Sequence, residues 1–375
     1  MPDAMISLRN VSKQFQQGGG AAVHDLTLDI HQGETVVLVG PSGCGKTTTM
    51  KMINRLIEPT SGRIYIGDED VTHVDPVKLR RRIGYVIQQV GLFPHLTIAQ
   101  NVGTVPQLLG WDRARTKRRT TELLELVGLE PARFAKRYPH ELSGGQRQRV
   151  GVARALAVDP PVLLMDEPFG AIDPITRDRL QGEFLRLQHE VRKTIVFVTH
   201  DIEEAVRMGD RIAILAQGGI LAQYDTPAQI LGHPANDFVA DFVGADRGLK
   251  RLSVTAIDLA EIDKPPVVSL DDSLADARRA MAASASRWAV VLDPDERLHG
   301  WISDETALGD GLVESRAKRL EAWVPVGATL KQAFSVMLQH DAGWVAVLDG
   351  DRYLGVLTPE SLHAALRRSV GAESS

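Results

Sequence analysis

The run Gly40-Pro-Ser-Gly-Cys-Gly-Lys46-Thr47 sets three glycines, a lysine and two hydroxyls between an apolar stretch, Val36–Val39, and a helical one, Thr48–Leu56. GxxxxGK[ST] in a strand-to-helix turn is suited to holding a chain of phosphates. Glycines let successive backbone N–H groups curl around the anion, and the helix N-terminus adds partial positive charge. Lys46 can then reach the outer phosphates, and the Thr47 hydroxyl can ligate Mg²⁺. Cys44 reads as a small filler of this loop, with a thiol activated by the loop's positive field as the alternative.

Val162-Leu-Leu-Met-Asp166-Glu167 is an apolar run ending in two carboxylates. A strand of this kind can set Asp166 beside the metal and Glu167 beside an attacking water, which Glu167 would polarise as a general base. Strand ends are often acidic, so the pair gains its weight from the phosphate loop.

Leu142-Ser143-Gly144-Gly145-Gln146 leads into a helical stretch, Arg147–Val158. LSGGQ resembles the signature of ABC-transporter ATPases, and the other parts stand in that family's order. Gln88, closing Ile83–Gln88, resembles the Q-loop glutamine, Ala171-Ile172-Asp173 the D-loop, and His200 the switch histidine. Phe15 stands where the family has an aromatic that stacks on adenine. The resemblance covers residues 5–245 and implies ATP and Mg²⁺ as cofactors. Its implied catalytic residues are Glu167, His200 and Gln88, and its metal ligands Thr47, Gln88 and Asp166. Nucleotide contacts would come from Phe15, Gly40, Pro41, Ser42, Gly43, Cys44, Gly45, Lys46, Thr47 and Thr48, and from Ser143, Gly144, Gly145, Gln146 and Asp173. Aromatic stacking accepts either purine, so GTP stays open beside ATP. In the family the signature meets the γ-phosphate held by the opposite subunit. One loop and one signature per chain therefore imply a two-chain sandwich holding two ATP.

These residues need a rigid frame. Val36–Val39, Ile83–Ile87, Val162–Met165, Ile195–Val198 and Ile212–Leu215 are largely apolar throughout, as strands covered on both faces of a parallel sheet require. Ile6–Leu8, Leu26–Ile30 and Arg63–Ile66 predict a smaller antiparallel sheet. Thr121–Val127 and Ile202–Met208 carry helical spacing, and residues from about 95 to 158 form a mainly helical insert. The basic run Arg113, Arg115, Lys117, Arg118 and Arg119 is expected before the first of those helices, as a solvated face or one approaching headgroups or a permease. The fold class is thus α/β: a P-loop NTPase of the ABC type, with RecA-like core, antiparallel β subdomain and helical insert.

From about Lys250 the chain repeats itself. Ser273, Leu274, Ala277, Met281, Trp288, Leu292 and Asp293 recur as Thr329, Leu330, Ala333, Met337, Trp344, Leu348 and Asp349, and the second copy is one residue shorter in its turn. Two copies are too few for a solenoid and are expected to pair face to face. The repeat resembles a tandem CBS pair, an α/β module. The expected boundaries are 1–245 for the ATPase, 246–264 for a linker, 265–310 for the first repeat and 320–370 for the second. CBS copies often read G-x-x-[ST]-x-x-D, with the Asp on ribose hydroxyls. Here Gly300 and Ser303 are followed by Thr306, and Gly355 and Thr358 by Ser361, which lowers the expectation of adenosine binding. Another ligand, ionic-strength sensing and plain dimerisation remain.

The 375 residues suit two or three domains, and 43% hydrophobic with 24% charged residues excludes general disorder. One cysteine excludes a disulfide framework. The net charge of −5 gives no electrostatic ground for nucleic acid binding, and all of the acidic excess lies in residues 250–375, with 14 Lys+Arg against 19 Asp+Glu. No apolar run approaches the roughly 20 residues of a membrane span, and no signal peptide is visible. A separate ATPase subunit with a C-terminal regulatory module resembles bacterial importers, and IGYVIQQVGLFPHLTIAQN and MKMINRLI resemble their osmoprotectant branch. That branch carries glycine betaine, choline, proline betaine or carnitine. It implies a second ATPase copy, membrane permease subunits and, indirectly, a substrate-binding protein as partners. The expected location is cytoplasmic, at the inner face of the cell membrane through the permease. An importer for another small solute and a soluble non-transport ABC ATPase are the alternatives.

Overall fold

The computed structural model describes residues 4–15, 20–87, 91–170 and 172–371. The chain divides into two compact units, 1–230 with 234–245, and 231–233 with 246–375.

In the first unit, β1 (Ala4–Lys13) and β2 (Val23–His31) pair antiparallel. In β2, Leu26, Leu28 and Ile30 are buried and the residues between them more open, as a one-faced antiparallel sheet dictates. The central sheet begins with β3 (Thr35–Val39), buried along its whole length. β4 (Ser61–Ile66) and β5 (Glu69–Asp70) complete the small sheet in the order β2-β1-β4-β5. The remaining strands are β6 (Ile83–Val86), β7 (Val162–Asp166), β8 (Thr194–Val198), β9 (Arg211–Ala216) and β10 (Ile220–Asp225). They join β3 in the order β10-β9-β3-β8-β7-β6, parallel except for β10 on β9. The C-terminal ends of β3, β7 and β8 thus lie side by side, where open α/β sheets bind ligands.

Several helices are started by side chains that occupy their unpaired N–H groups. α1 (Lys46–Ile53) opens directly from the phosphate loop, one half-turn earlier than the apolar spacing suggests. α2 (Pro76–Arg80) and α3 (Ile98–Leu108) are capped by Asp75 and Thr97. α4 (Arg113–Leu126), capped by Asp112, contains the basic run instead of following it. The polar residues there had hidden the helical period, and two of them have local partners. Arg119 donates to the Leu156 and Ala157 carbonyls, while Arg115 lies 3.6 Å over the Trp111 ring. α5 (Pro131–Phe134) is short; α6 (Gly144–Ala155), α7 (Pro174–Val191) and α8 (Ile202–Met208) are capped by Ser143, Asp173 and Asp201. α9 (Pro227–Gly232) and α10 (Asp237–Val243) follow.

The second unit begins its helices with α11 (Arg247–Leu252). Its first repeat comprises β11 (Val267–Ser269), α12 (Leu274–Ala283), β12 (Trp288–Leu292), β13 (Leu298–Ser303) and β14 (Lys318–Arg319). The second comprises β15 (Trp323–Pro325), α13 (Leu330–Gln339), β16 (Val345–Asp349), β17 (Arg352–Leu357) and α14 (Pro359–Gly371). Ser273 and Thr329 cap α12 and α13, whose Ala277, Met281, Ala333 and Met337 are buried. The repeats meet at the Trp288 and Trp344 rings, stacked 4.5 Å apart at 17°. Their shared glycines have a shared cause. A Cβ on Gly300 would stand 1.8 Å from the Lys318 carbonyl oxygen, and one on Gly355 2.7 Å from Ile262.

Candidate functional site

The phosphate loop is built where β3 ends, and its glycines are structurally required. Gly40 and Gly45 have φ of +152° and +105°, and added Cβ atoms would lie 2.2 Å from the Leu215 carbonyl and 2.3 Å from that of Ala22. Gly43 is also left-handed, at +79°. Lys46 is 7% exposed and folded back over the loop, donating from Nζ to the Gly40 and Pro41 carbonyls at 2.7 and 3.0 Å. The same ammonium lies 3.8 Å from the Cys44 sulfur. Cys44 is wholly buried, its sulfur lying against Gly40. Ser42 is steadied through its carbonyl by Gln217 at 3.4 Å. Pro41 and Thr48 lie in the same loop and the first turn of α1.

The second half comes from β7. Thr47 donates from Oγ1 to Asp166 Oδ1 at 3.1 Å, across 119 positions of sequence. Burial pushes the Asp166 carboxyl up, opposed by the Thr47 hydrogen bond and the positive charges of Lys51 and Lys46. Two hard oxygens beside a phosphate loop fit Mg²⁺, which takes one or two protein ligands and completes its shell with phosphate and water. Glu167 follows with φ of +42°, a conformation a residue with a Cβ rarely adopts, and its N–H donates to the Val198 carbonyl at 3.0 Å. That turn aims the side chain at His200, whose Nδ1 lies 3.2 Å from Glu167 Oε1.

The other expected residues are arranged separately. Ser143 and Gln146 form a reciprocal capping box on α6, Ser143 Oγ accepting from the Gln146 N–H and Gln146 Oε1 accepting from the Ser143 N–H. Gly144 is exposed, with nothing near where a Cβ would point, while Gly145 lets α6 approach Thr176 and Leu180 of α7. Among the described residues no hydrogen bond joins this signature to the phosphate loop of the same chain. Asp173 accepts from the Thr176 N–H, which holds its carboxyl below the usual range. Phe15 is 48% exposed, with Lys13 Nζ 5.3 Å from its ring centre. Gln88 and Ala171 lie outside the described residues. No sequence motif marks Glu204 of α8, which is buried and accepts from Gln181 Nε2 of α7 at 2.8 Å.

The comparisons with known proteins identify the family. The glycine betaine/carnitine/choline transport ATP-binding protein OpuCA of Bacillus subtilis is 48% identical over 364 residues, covering 96% of this chain and 95% of that protein. The ABC transporter family profile matches residues 23–170. This chain belongs to the ABC transporter ATP-binding subunits. The CBS domain profile matches residues 258–309 and 321–368 of this ABC subunit. The osmoprotectant import ATP-binding protein OsmV of Salmonella typhimurium is 46% identical over 364 residues, 95% of this chain and 94% of the relative. Among solved structures, a dimeric ATP-binding cassette in a post-hydrolysis state, bound to ADP and Pi, shares 38% identity with a TM-score of 0.53. It covers 60% of this chain and 99% of its own. As an ABC transporter ATPase, the chain is a nucleotide-binding enzyme whose hydrolysis is coupled to transport. No described helix is long and apolar enough to cross a membrane.

In the CBS unit, the hydroxyls at the expected ribose-aspartate positions are already engaged. Thr306 Oγ1 accepts from the Ser303 N–H at 3.0 Å and donates to the Ser303 carbonyl at 3.1 Å. Ser361 does the same to Thr358, at 2.8 and 3.1 Å. Both close their own turns.

Proposed function

We propose that this subunit hydrolyses ATP to energise an importer of osmoprotectants such as glycine betaine, choline, carnitine or proline betaine. The observation that carries the cargo class is near-full-length similarity, through both units, to relatives named for glycine betaine, carnitine, choline or osmoprotectants. Gly40 to Thr48 would cradle the phosphates, Phe15 would stack on the base, and Lys46 would leave the Gly40 and Pro41 carbonyls for the outer phosphates. Thr47, Asp166 and Gln88 would hold Mg²⁺, which supplies charge neutralisation of the phosphates when bound. Glu167 takes the proton of the attacking water, and His200 holds Glu167 and addresses the γ-phosphate.

Ser143, Gly144, Gly145 and Gln146 would meet the nucleotide of a second copy, with Asp173 beside that contact. Partial positive charge at the α6 N-terminus suits that anion. The subunit would sit on the cytoplasmic face of the membrane by docking on permease subunits, with a substrate-binding protein acting indirectly. The CBS unit would regulate the cycle, and residues 1–245, 265–310 and 320–370 are the functional divisions we assign.

The deciding experiment is labelled glycine betaine uptake in cells whose own copy is replaced by wild type or Glu167→Gln, at low and high osmolarity, with choline, proline and carnitine as competitors. Loss of uptake with the variant supports the reading. Uptake at the wild-type level removes the osmoprotectant assignment, and the co-purifying permease then identifies the cargo.

A further inference from the structure

Glu204 is a carboxylate that the proposed chemistry does not use. It lies in the first turn of α8, is 8% exposed, and is held from two other elements. The Thr199 hydroxyl, just past the end of β8, holds its carboxyl down against the rise that burial causes. From α7, Gln181 Nε2 donates to Glu204 Oε1 at 2.8 Å. Gln181, 5% exposed, accepts in turn from Arg207 Nη1 at 3.0 Å, and Arg207 also pairs with Asp178. Arg177 of α7 adds an attractive charge to the Glu204 carboxyl, and its Nη2 donates to the Ile172 carbonyl at 3.1 Å.

An apolar side chain could pack α8 on α7 without the cost of burying a carboxylate. What a carboxylate adds is direction. Thr199 immediately precedes His200, and its Oγ1 accepts from the Asp201 N–H at 3.1 Å, so the peptide bearing His200 is tied on both sides. Glu204 fastens that turn to α7, the helix whose first residue follows Asp173 and whose Arg177 reaches back to Ile172. The Asp201 carboxylate faces the α8 N-terminus, accepting from the Glu203 and Glu204 N–H groups.

We propose that Glu204 is a positioning residue, joining the His200 turn to α7 so that the His200–Glu167 geometry and the Asp173 end of α7 move as one piece. The inference rests on the roles given above to Glu167 and His200. Misplacement by about 1 Å near reacting groups can cost up to about a hundredfold in rate. Loss of one tether within an otherwise intact fold should cost less.

The test is steady-state ATP hydrolysis by the purified full chain, with binding of a fluorescent ATP analogue read alongside. Glu204→Ala should lower kcat about tenfold and leave KM for ATP within about twofold, because the phosphate loop is untouched. Glu204→Gln, which keeps the length and one acceptor oxygen, should recover most of the loss. Gln181→Leu cuts the same bond from α7 and should reproduce the fall in kcat, so the question stays answerable should Glu204→Ala not fold. Parental kcat in Gln181→Leu or in folded Glu204→Ala overturns the inference, as does a KM rise that accounts for the whole effect. Glu167→Gln runs as control. Were it fully active, the site reading would fall and this inference with it; were it inactive beside a fully active Glu204→Ala, this inference would fall alone.

Discussion

His200 Nδ1 and Glu167 Oε1 face each other at 3.2 Å from the ends of two adjacent parallel strands, β8 and β7. The contact depends on the left-handed backbone of Glu167, which turns the carboxylate out of the strand direction at once. With Nδ1 turned to Glu167, Nε2 is the nitrogen left to address another group. The proposed base and the group proposed to orient it therefore stand together within one chain. Among the described residues, no hydrogen bond joins the signature at the start of α6 to the phosphate loop of the same chain, which is why we assign it to a second copy's nucleotide.

Glu167→Gln preserves the shape of the side chain and removes its basicity. Phosphate release should fall by about a hundredfold or more, since general-base catalysis contributes on that scale. Affinity for a fluorescent ATP analogue should stay near the wild-type value, because the loop from Gly40 to Thr48 is intact. Release at the parental rate would deny Glu167 the role of base.

Two glycines separate folding from function. Gly40→Ala places a methyl 2.2 Å from the Leu215 carbonyl at a φ of +152°, so it should lower the unfolding temperature and abolish nucleotide binding together. Gly144→Ala meets no atom within 4 Å at the first position of a helix, and should leave the fold equal or firmer by about 0.4–1 kcal/mol. Its hydrolysis should nevertheless collapse, because the methyl enters the face proposed to meet the second copy's nucleotide. Calorimetry and phosphate release on the same samples test both; a fully active Gly144→Ala would remove the signature from the interface.

The elements that carry chemistry were legible because each is marked by residue types with few other uses. Gly40 to Thr47 and the β7 carboxylates mark a loop and a strand end by residue type and spacing, and Leu142 to Gln146 marks a helix start through its resemblance to the family signature. β10 was not legible: Ile220–Asp225 is an edge strand, partly exposed throughout, and lacks the apolar run that marked its neighbours. α4 was read too short because its first turns are nearly all basic, and only the fold shows Arg119 closing the carbonyls at the end of α6. Glu204 was invisible for a related reason. A glutamate on a short helix reads as solvated until its partner on α7, 23 positions away, is known.

Burial holds the Glu204 carboxyl above its ordinary value of 4.5, against the lowering effect of its Thr199 and Gln181 hydrogen bonds. The folded protein therefore binds that proton more tightly than the unfolded chain. The resulting stabilisation is fully present below the unfolded value and is lost as pH rises through the raised folded one. Glu204→Gln has no such proton to lose. Wild-type stability relative to Glu204→Gln should fall as pH is taken from about 4 to about 7.5, read as the difference in urea midpoint at each pH. A difference that moves the other way would mean that the folded state favours the charged carboxylate.

Trp288 and Trp344 occupy equivalent places in the two CBS repeats, and their rings stack 4.5 Å apart. Stacked aromatic pairs contribute about 0.5–1.5 kcal/mol beyond the area they bury. In a double-mutant cycle, Trp288→Ala and Trp344→Ala should each lower the unfolding temperature of the C-terminal unit, and the pair should lose less than the two added together by about that amount. The phosphate loop, Asp166, Glu167 and His200 all lie in the first unit, so basal ATP hydrolysis should stay within about twofold in all three variants. The response of the assembled transporter to salt should change if the repeats regulate through this contact. Strict additivity of the two substitutions would mean that the stack is incidental and that the repeats are joined by the rest of the unit, with the Arg297–Arg352 strand bridge as the next contact to break.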